Sequence, residues 1–140
     1  MMKVKAHVYL SEDARAIREA VFMKEQGFQN EFDSVDEIAT HLVLYDGEAA
    51  VATCRVFWEE TLHAYVLGRL AVRKEYRGKA LGSLMVEEAV RYVKIKGGKE
   101  LLLHAQCRVV DFYQRLGFHT FGEMEDDEGC PHIWMKKTVG

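Results

Sequence analysis

One stretch of the chain gathers what a phosphate-bearing ligand needs. Leu70-Ala71-Val72-Arg73-Lys74-Glu75-Tyr76-Arg77-Gly78-Lys79-Ala80-Leu81-Gly82-Ser83 reads as the end of an apolar strand, a short basic turn and the start of a helix. The N–H groups of a first helical turn lack intrahelical acceptors and lie at the positive end of the helix dipole, so they form a ready anion seat. Gly78 and Gly82 permit close backbone approach, while Arg73, Lys74, Arg77 and Lys79 add positive charge. A pyrophosphate is the natural guest. The same residues also describe an ordinary helix start with solvated basic side chains. Neither a Walker A sequence nor a G-x-G-x-x-G fingerprint occurs, so the usual nucleotide folds gain no support.

Other residue types also call for an account. Arg55 and Arg69 fall on adjacent strand-like segments, where arginine is unusual unless paired. They could grip a substrate carboxylate bidentately, or pair with Glu25, Glu31 or Asp36 as structural ion pairs. Glu123, Glu125, Asp126, Asp127 and Glu128 form an acidic run that reads as a loop. It could attract a cationic amine, although such runs are commonly just solvated. Cys107 precedes a helix-like segment, where a thiolate is favoured and a covalent acetyl-cysteine is conceivable; direct transfer needs fewer assumptions. Cys130-Pro131-His132 lacks metal-ligand spacing and a partner pair, so no metal site is expected.

These residues must be positioned by regular elements. Alternation over Val4, Ala6 and Val8 predicts a first strand, and Ser11 then caps a helix that ends near Gly27. Phe28 to Thr40 is acidic and weakly periodic, consistent with a loop holding a short helical turn. His41–Tyr45 and Ala49–Trp58 are strands joined at Asp46-Gly47, a hairpin-turn dipeptide. A further strand runs from about His63 to Val72, with Gly68 marking a bulge or a close backbone approach. Helical spacing then covers Ser83–Lys96 and stops at Gly97-Gly98. Leu101–His104 is apolar without alternation, as in a strand buried on both faces. Val109–Leu116 is a short helix closed by Gly117, Phe118–Phe121 begins a strand, and His132–Lys137 is the last one. Hairpins mixed with helical crossovers imply an α/β chain with a central, mixed and partly parallel sheet flanked by helices.

Composition bounds the function. The chain has 140 residues, 49% hydrophobic and 29% charged, with one proline, which fits one domain spanning 1–140. A net charge of -3 gives no general attraction to nucleic acid or an anionic membrane surface. Met1-Met2-Lys3-Val4-Lys5-Ala6-His7 leads into no long apolar run, so no secretory leader is expected, and no apolar run is long enough to span a bilayer as a helix. Three cysteines at unrelated spacings suit a reduced, cytoplasmic protein better than a disulfide framework.

Downstream of the basic turn lies Leu101-Leu102-Leu103-His104-Ala105-Gln106, followed by Val110-Asp111-Phe112-Tyr113-Gln114-Arg115-Leu116-Gly117-Phe118. Arg77-Gly78-Lys79-Ala80-Leu81-Gly82 with Phe112-Tyr113-Gln114-Arg115-Leu116-Gly117-Phe118 resembles the GNAT superfamily of N-acetyltransferases. That superfamily's pattern is a strand, R-x-x-G-x-G/A, a long helix, a strand, and a helix carrying F-Y-x-x-x-G-F. The core of the likeness covers residues 65 to 120. Val21-Phe22-Met23-Lys24-Glu25-Gln26-Gly27 and Pro131-His132-Ile133-Trp134-Met135 resemble the small ElaA-like branch. One departure is Ala80, which stands where the family's first loop glycine falls.

The resemblance implies the GNAT acyl-CoA N-acyltransferase fold and acetyl-CoA as co-substrate. It implies that the backbone of Leu70, Ala71 and Val72 pairs with the pantetheine arm like an added strand. N–H groups from Arg77, Gly78, Lys79, Ala80, Leu81, Gly82 and Ser83 would hold the pyrophosphate, with Gln106 and Tyr113 completing the cofactor site. A strand N–H would stabilise the oxyanion, and Tyr113 would protonate the departing thiolate, unless it is simply a core aromatic.

An alkylamine is neutral in only about one molecule in a few thousand at pH 7, equivalent to roughly 4–5 kcal/mol of barrier, so something must draw off its proton. The glutamate that many relatives carry on the cofactor strand is absent here; Arg69 stands in that strand. Glu25 is the first candidate base, followed by His132 and His41. Arg55, Arg69 and His132 are the candidate acceptor-side residues. The acceptor would be the amine of a small molecule or a peptide, and an exposed sheet edge would permit a homodimer. An acyl-CoA-binding module without catalysis and a general phosphate-binding α/β protein are the competing readings.

Overall fold

The N-terminal alternation forms β1 (Met2–His7), and the Ser11 hydroxyl caps α1 (Glu12–Arg18) by accepting from the Ala14 N–H at 3.2 Å. The expected single helix is in fact two. After Arg18 the backbone widens into a π-helical stretch, Glu19–Glu25, which ends at Gly27 in the left-handed region. A 3₁₀ turn at Ser34–Glu37 follows, with Asp33 and Asp36 forming a reciprocal capping box. Then come β2 (Thr40–Asp46), β3 (Ala49–Glu59), β4 (Ala64–Val72), a 3₁₀ turn at Lys74–Tyr76 and α2 (Leu81–Ile95). The chain finishes with β5 (Glu100–Gln106), a 3₁₀ turn at Cys107–Val109, α3 (Val110–Arg115), β6 (His119–Asp127) and β7 (Cys130–Thr138). The computed structural model describes residues 1–140.

The strands form one seven-stranded mixed sheet in the order β1-β2-β3-β4-β5-β7-β6. A parallel ladder joins β4 to β5 over Tyr65–Leu67 and Leu101–Leu103, as a helical crossover requires. The chain divides into two compact units, Met1–Phe57 with Gly68–Ala89, and Trp58–Leu67 with Val90–Gly140.

In the first unit α1 and the π-helical stretch lay Ala14, Ile17, Val21 and Phe22 against Val43 and Ala71, with Leu10, Phe28 and Tyr45 packed around them. Their burial is the main stabilising term here, worth roughly 1.5–3 kcal/mol for each large side chain removed from water. In the second unit Leu101, Leu102 and Leu103 are all buried, as the unbroken apolar run implied. The segment read as an acidic loop is a hairpin instead. β6 carries the acids to Asp127 and turns at Glu128-Gly129 into β7, with a register irregularity between Phe121 and Glu125. Alternation was hidden because both faces of this edge strand are largely solvated.

Candidate active site

In the first unit β4 delivers Leu70, Ala71 and Val72 to the basic turn. Ala71 is buried and its two neighbours are half-buried. The N–H of Arg73 donates to the Val51 carbonyl at 2.9 Å and its Nε to the Ala50 carbonyl at 3.0 Å, anchoring the turn to β3. α2 opens at Leu81, two residues earlier than the helical spacing suggested. Leu84 N–H donates to the Ala80 carbonyl at 3.2 Å. The amides of Leu81, Gly82 and Ser83 therefore lie in the first turn, ahead of that bond, where helix N–H groups seek outside acceptors.

Arg77 is committed elsewhere. Arg77 donates from Nε to the Val72 carbonyl at 3.0 Å, and from Nη1 and Nη2 to Glu25 at 2.9 and 2.7 Å. Its own N–H is taken by the Lys74 carbonyl at 3.3 Å, so this amide departs from the expected phosphate set. Glu25, the first candidate base, is thus a clasp on the turn. The hydrogen bond from Arg77 holds its carboxyl below the ordinary range, the wrong direction for a group meant to accept an amine proton. Lys79 lies over the Tyr76 ring. Ala80 is left-handed, at φ +60°, a conformation that favours glycine.

Arg55 and Arg69 belong to a dense ion-pair network in the same unit. Arg18 Nε meets Glu31 at 2.8 Å and its Nη1 meets Asp36 at 2.7 Å. Arg55 Nη1 reaches Asp33 at 2.7 Å and Asp36 at 2.9 Å, and Arg69 reaches Glu31 at 2.9 Å and Asp33 at 3.3 Å. Both guanidinium groups are held in ion pairs with acids, the second of the two readings that the sequence offers for them. Glu25 has no part in this network. Burial alone would raise the Asp36 carboxyl, yet hydrogen bonds and charge from Arg18 and Arg55 outweigh it and hold it down at about 2. Burial wins at Glu31, whose carboxyl is pushed up despite three nearby arginines. Arg69 is itself left-handed at φ +52°, the true irregularity of β4, one residue beyond Gly68. His41 is buried, donates from Nε2 to the Asp36 carbonyl at 2.9 Å, and is driven toward its neutral form by burial. It is a structural strand histidine.

In the second unit Tyr113 sits on α3, buried, with Phe112 and Phe118 in edge-on contact at 5.0 and 5.9 Å. Gln106 ends β5, and its side-chain oxygen accepts from Arg108 at 2.8 Å. β5 and β7 pair in a register that sets Gln106 opposite His132 and His104 opposite Trp134. The His104 and His132 rings approach to 5.0 Å, and His104 stacks on Trp134 at 4.9 Å. Sequence reasoning passed over His104, although it shares its strand parity with Gln106. Cys107 lies in the 3₁₀ turn ahead of α3. No group of three or more metal-ligating side chains exists. A pocket of about 440 Å³ lined by Trp58, His63, Tyr65, Lys96 and Lys99 involves none of the candidate residues.

The profile of the acetyltransferase (GNAT) domain matches residues 6–139, through the basic turn, both motif helices and the closing hairpin. The chain belongs to the GNAT acetyltransferase family. It is similar to the uncharacterized N-acetyltransferase YjcF of Bacillus subtilis, 33% identical over 129 residues that cover 90% of this chain and 91% of the relative. The crystal structure of Escherichia coli ElaA superposes with a TM-score of 0.86 at 26% identity, covering 98% and 99% of the two chains, so the ElaA-like branch is supported. An acyl-CoA N-acyltransferase from Pseudomonas aeruginosa shares the fold, with a TM-score of 0.83 at 24% identity over 99% of each chain. This GNAT protein is accordingly an acyl-CoA-dependent N-acetyltransferase, and the fold class read from its sequence holds. No helix is long and apolar enough to cross a membrane.

The donor set of the turn suits such a co-substrate. Unbonded first-turn amides and nearby lysines fit a diphosphate. The acyl-CoA would supply the activated thioester, while the protein binds and orients it and moves protons.

Proposed function

We propose that this GNAT enzyme takes the acetyl group of acetyl-CoA and transfers it by direct attack, in a ternary complex, to the amine of a small molecule or peptide. The observation that carries the reading is the start of α2, where the amides of Leu81, Gly82 and Ser83 follow the left-handed Ala80 within the R-x-x-A-x-G sequence. Those amides, with Gly78, Lys79 and Ala80, hold the pyrophosphate, and the exposed Lys74 and Lys79 supply screening charge. The backbone of Leu70, Ala71 and Val72 binds the pantetheine arm as an added strand, and Gln106 is a further cofactor-binding residue. Tyr113 protonates the thiolate as it leaves; its place in the F-Y-x-x-x-G-F motif and its burial beside Phe112 and Phe118 support that role.

A family profile that runs through residues 6–139 supports reading the chain as one acetyltransferase domain. Calorimetric titration of acetyl-CoA tests the binding half, and thiol release with a panel of amines tests the chemistry. Absence of binding heat, or no thiol released above the hydrolysis background with any amine, overturns the reading.

A further inference from the structure

The second unit holds a pocket that acetyl transfer leaves unused, and its volume of about 440 Å³ falls in the range of small-molecule sites. One wall is aromatic and fixed. Trp58, on β3, meets the rings of His63 and Tyr65 edge-on, each at 5.1 Å, with interplanar angles of 74° and 73°. Its indole N–H donates to Glu60 Oε2 at 2.6 Å. His63 keeps a left-handed backbone at φ +50°, a strain retained at a residue that lines the pocket. A tryptophan pinned at three points and still 39% exposed offers a preorganised apolar face to a planar guest.

The floor is Gly97-Gly98, where α2 ends. A Cβ on Gly98 would come within 2.8 Å of the Tyr65 ring, so glycine lets that ring lie against the helix end. The N–H groups of Gly97 and Gly98 are taken by the Lys94 and Val93 carbonyls at 3.0 and 2.9 Å, which leaves recognition to side chains. Lys96 Nζ is drawn back over the Tyr92 ring of its own helix at 5.6 Å. Lys99 and Glu100, adjacent in the chain, then give the lining one cation and one anion side by side.

A ring wall beside one charge of each sign matches a guest that carries a ring, a carboxylate and an ammonium group together. We propose that this pocket binds a free aromatic α-amino acid as its zwitterion, with the ring on Trp58 and Tyr65, the carboxylate toward Lys99 and the ammonium toward Glu100. An aromatic acid without the ammonium would bring a like charge to Glu100, and an aromatic amine without the carboxylate would bring one to Lys99. The site is independent of the acetyl-transfer reading, since no residue assigned to the cofactor lines it.

The test uses the full chain without acetyl-CoA. Two tryptophans give two indole N–H signals in isotope-labelled protein, and Trp58→Phe assigns the one from residue 58. L-Phenylalanine should shift the Trp58 signal saturably and leave that of Trp134 in place. Phenylacetate and phenethylamine should each bind about two- to fivefold more weakly, and glycine, which lacks the ring, should give no shift. By calorimetry, Lys99→Ala and Glu100→Gln should each weaken L-phenylalanine about two- to fivefold, and Trp58→Ala about tenfold or more, with melting temperatures near that of wild type. A Trp58 signal that stays unmoved, a shift confined to Trp134, or binding that survives Trp58→Ala undiminished overturns the proposal. Equal affinity for phenylalanine, phenylacetate and phenethylamine overturns the zwitterion assignment.

Discussion

Ala80 offers a sharp test of the phosphate loop. It holds φ +60°, where an L-residue with a Cβ is penalised by roughly 1–2 kcal/mol. Ala80→Gly removes that penalty but enlarges the unfolded ensemble, which costs about 0.4–1 kcal/mol. The difference leaves a net stabilisation of about 0.5–1 kcal/mol, or a rise in Tm of about 2–4 °C for a chain of this size. Ala80→Val moves the other way, because a β-branched side chain is less tolerated there, and should lose at least about 1 kcal/mol. Calorimetric melting of the three proteins gives the comparison, and titration with acetyl-CoA should show no loss of affinity in the glycine variant. A glycine variant that melts below wild type, or a valine variant that matches it, would refute the left-handed loop and the amide arrangement built on it.

Further expectations follow from the same geometry. Tyr113→Phe should lower kcat by about 10²-fold or more with acetyl-CoA affinity nearly intact, measured by thiol release and calorimetry; unchanged kcat removes the acid role. Glu25→Gln withdraws a negative charge from the cofactor turn and frees the Arg77 guanidinium, so acetyl-CoA should bind about two- to fivefold tighter at low salt, less so at high salt. Asp36→Asn breaks buried pairs to Arg18 and Arg55 and should destabilise by about 3–5 kcal/mol. The Asp36 carboxyl is depressed to about 2 in the folded state, so its contribution is complete above the unfolded value near 3.8 and fades as pH falls toward 2. The gap in Tm between wild type and Asp36→Asn should therefore be widest above about pH 4 and narrow below it. A gap that is flat across that window would contradict the assignment.

Sequence alone determined the sheet class, the order of its elements and the family, because these rest on local signals. Periodicity marks a strand or a helix, Gly117 stops α3 whatever it touches, and the basic turn before Leu81 is contiguous in the chain. What each charged side chain does was settled only by the tertiary structure. Glu25 and Arg77 are 52 positions apart, and nothing in either neighbourhood announces their pairing. Arg55 and Arg69 could be recognised as needing partners, but the segment that supplies Glu31, Asp33 and Asp36 has no strong period of its own. The acidic hairpin was misread because an edge strand solvated on both faces loses the alternation that reveals a buried one. His104 and His132 meet through an antiparallel register between strands some thirty positions apart, and register is a property of the folded sheet. Local chemistry chose the family, and contacts between distant residues chose which partner each charged side chain holds.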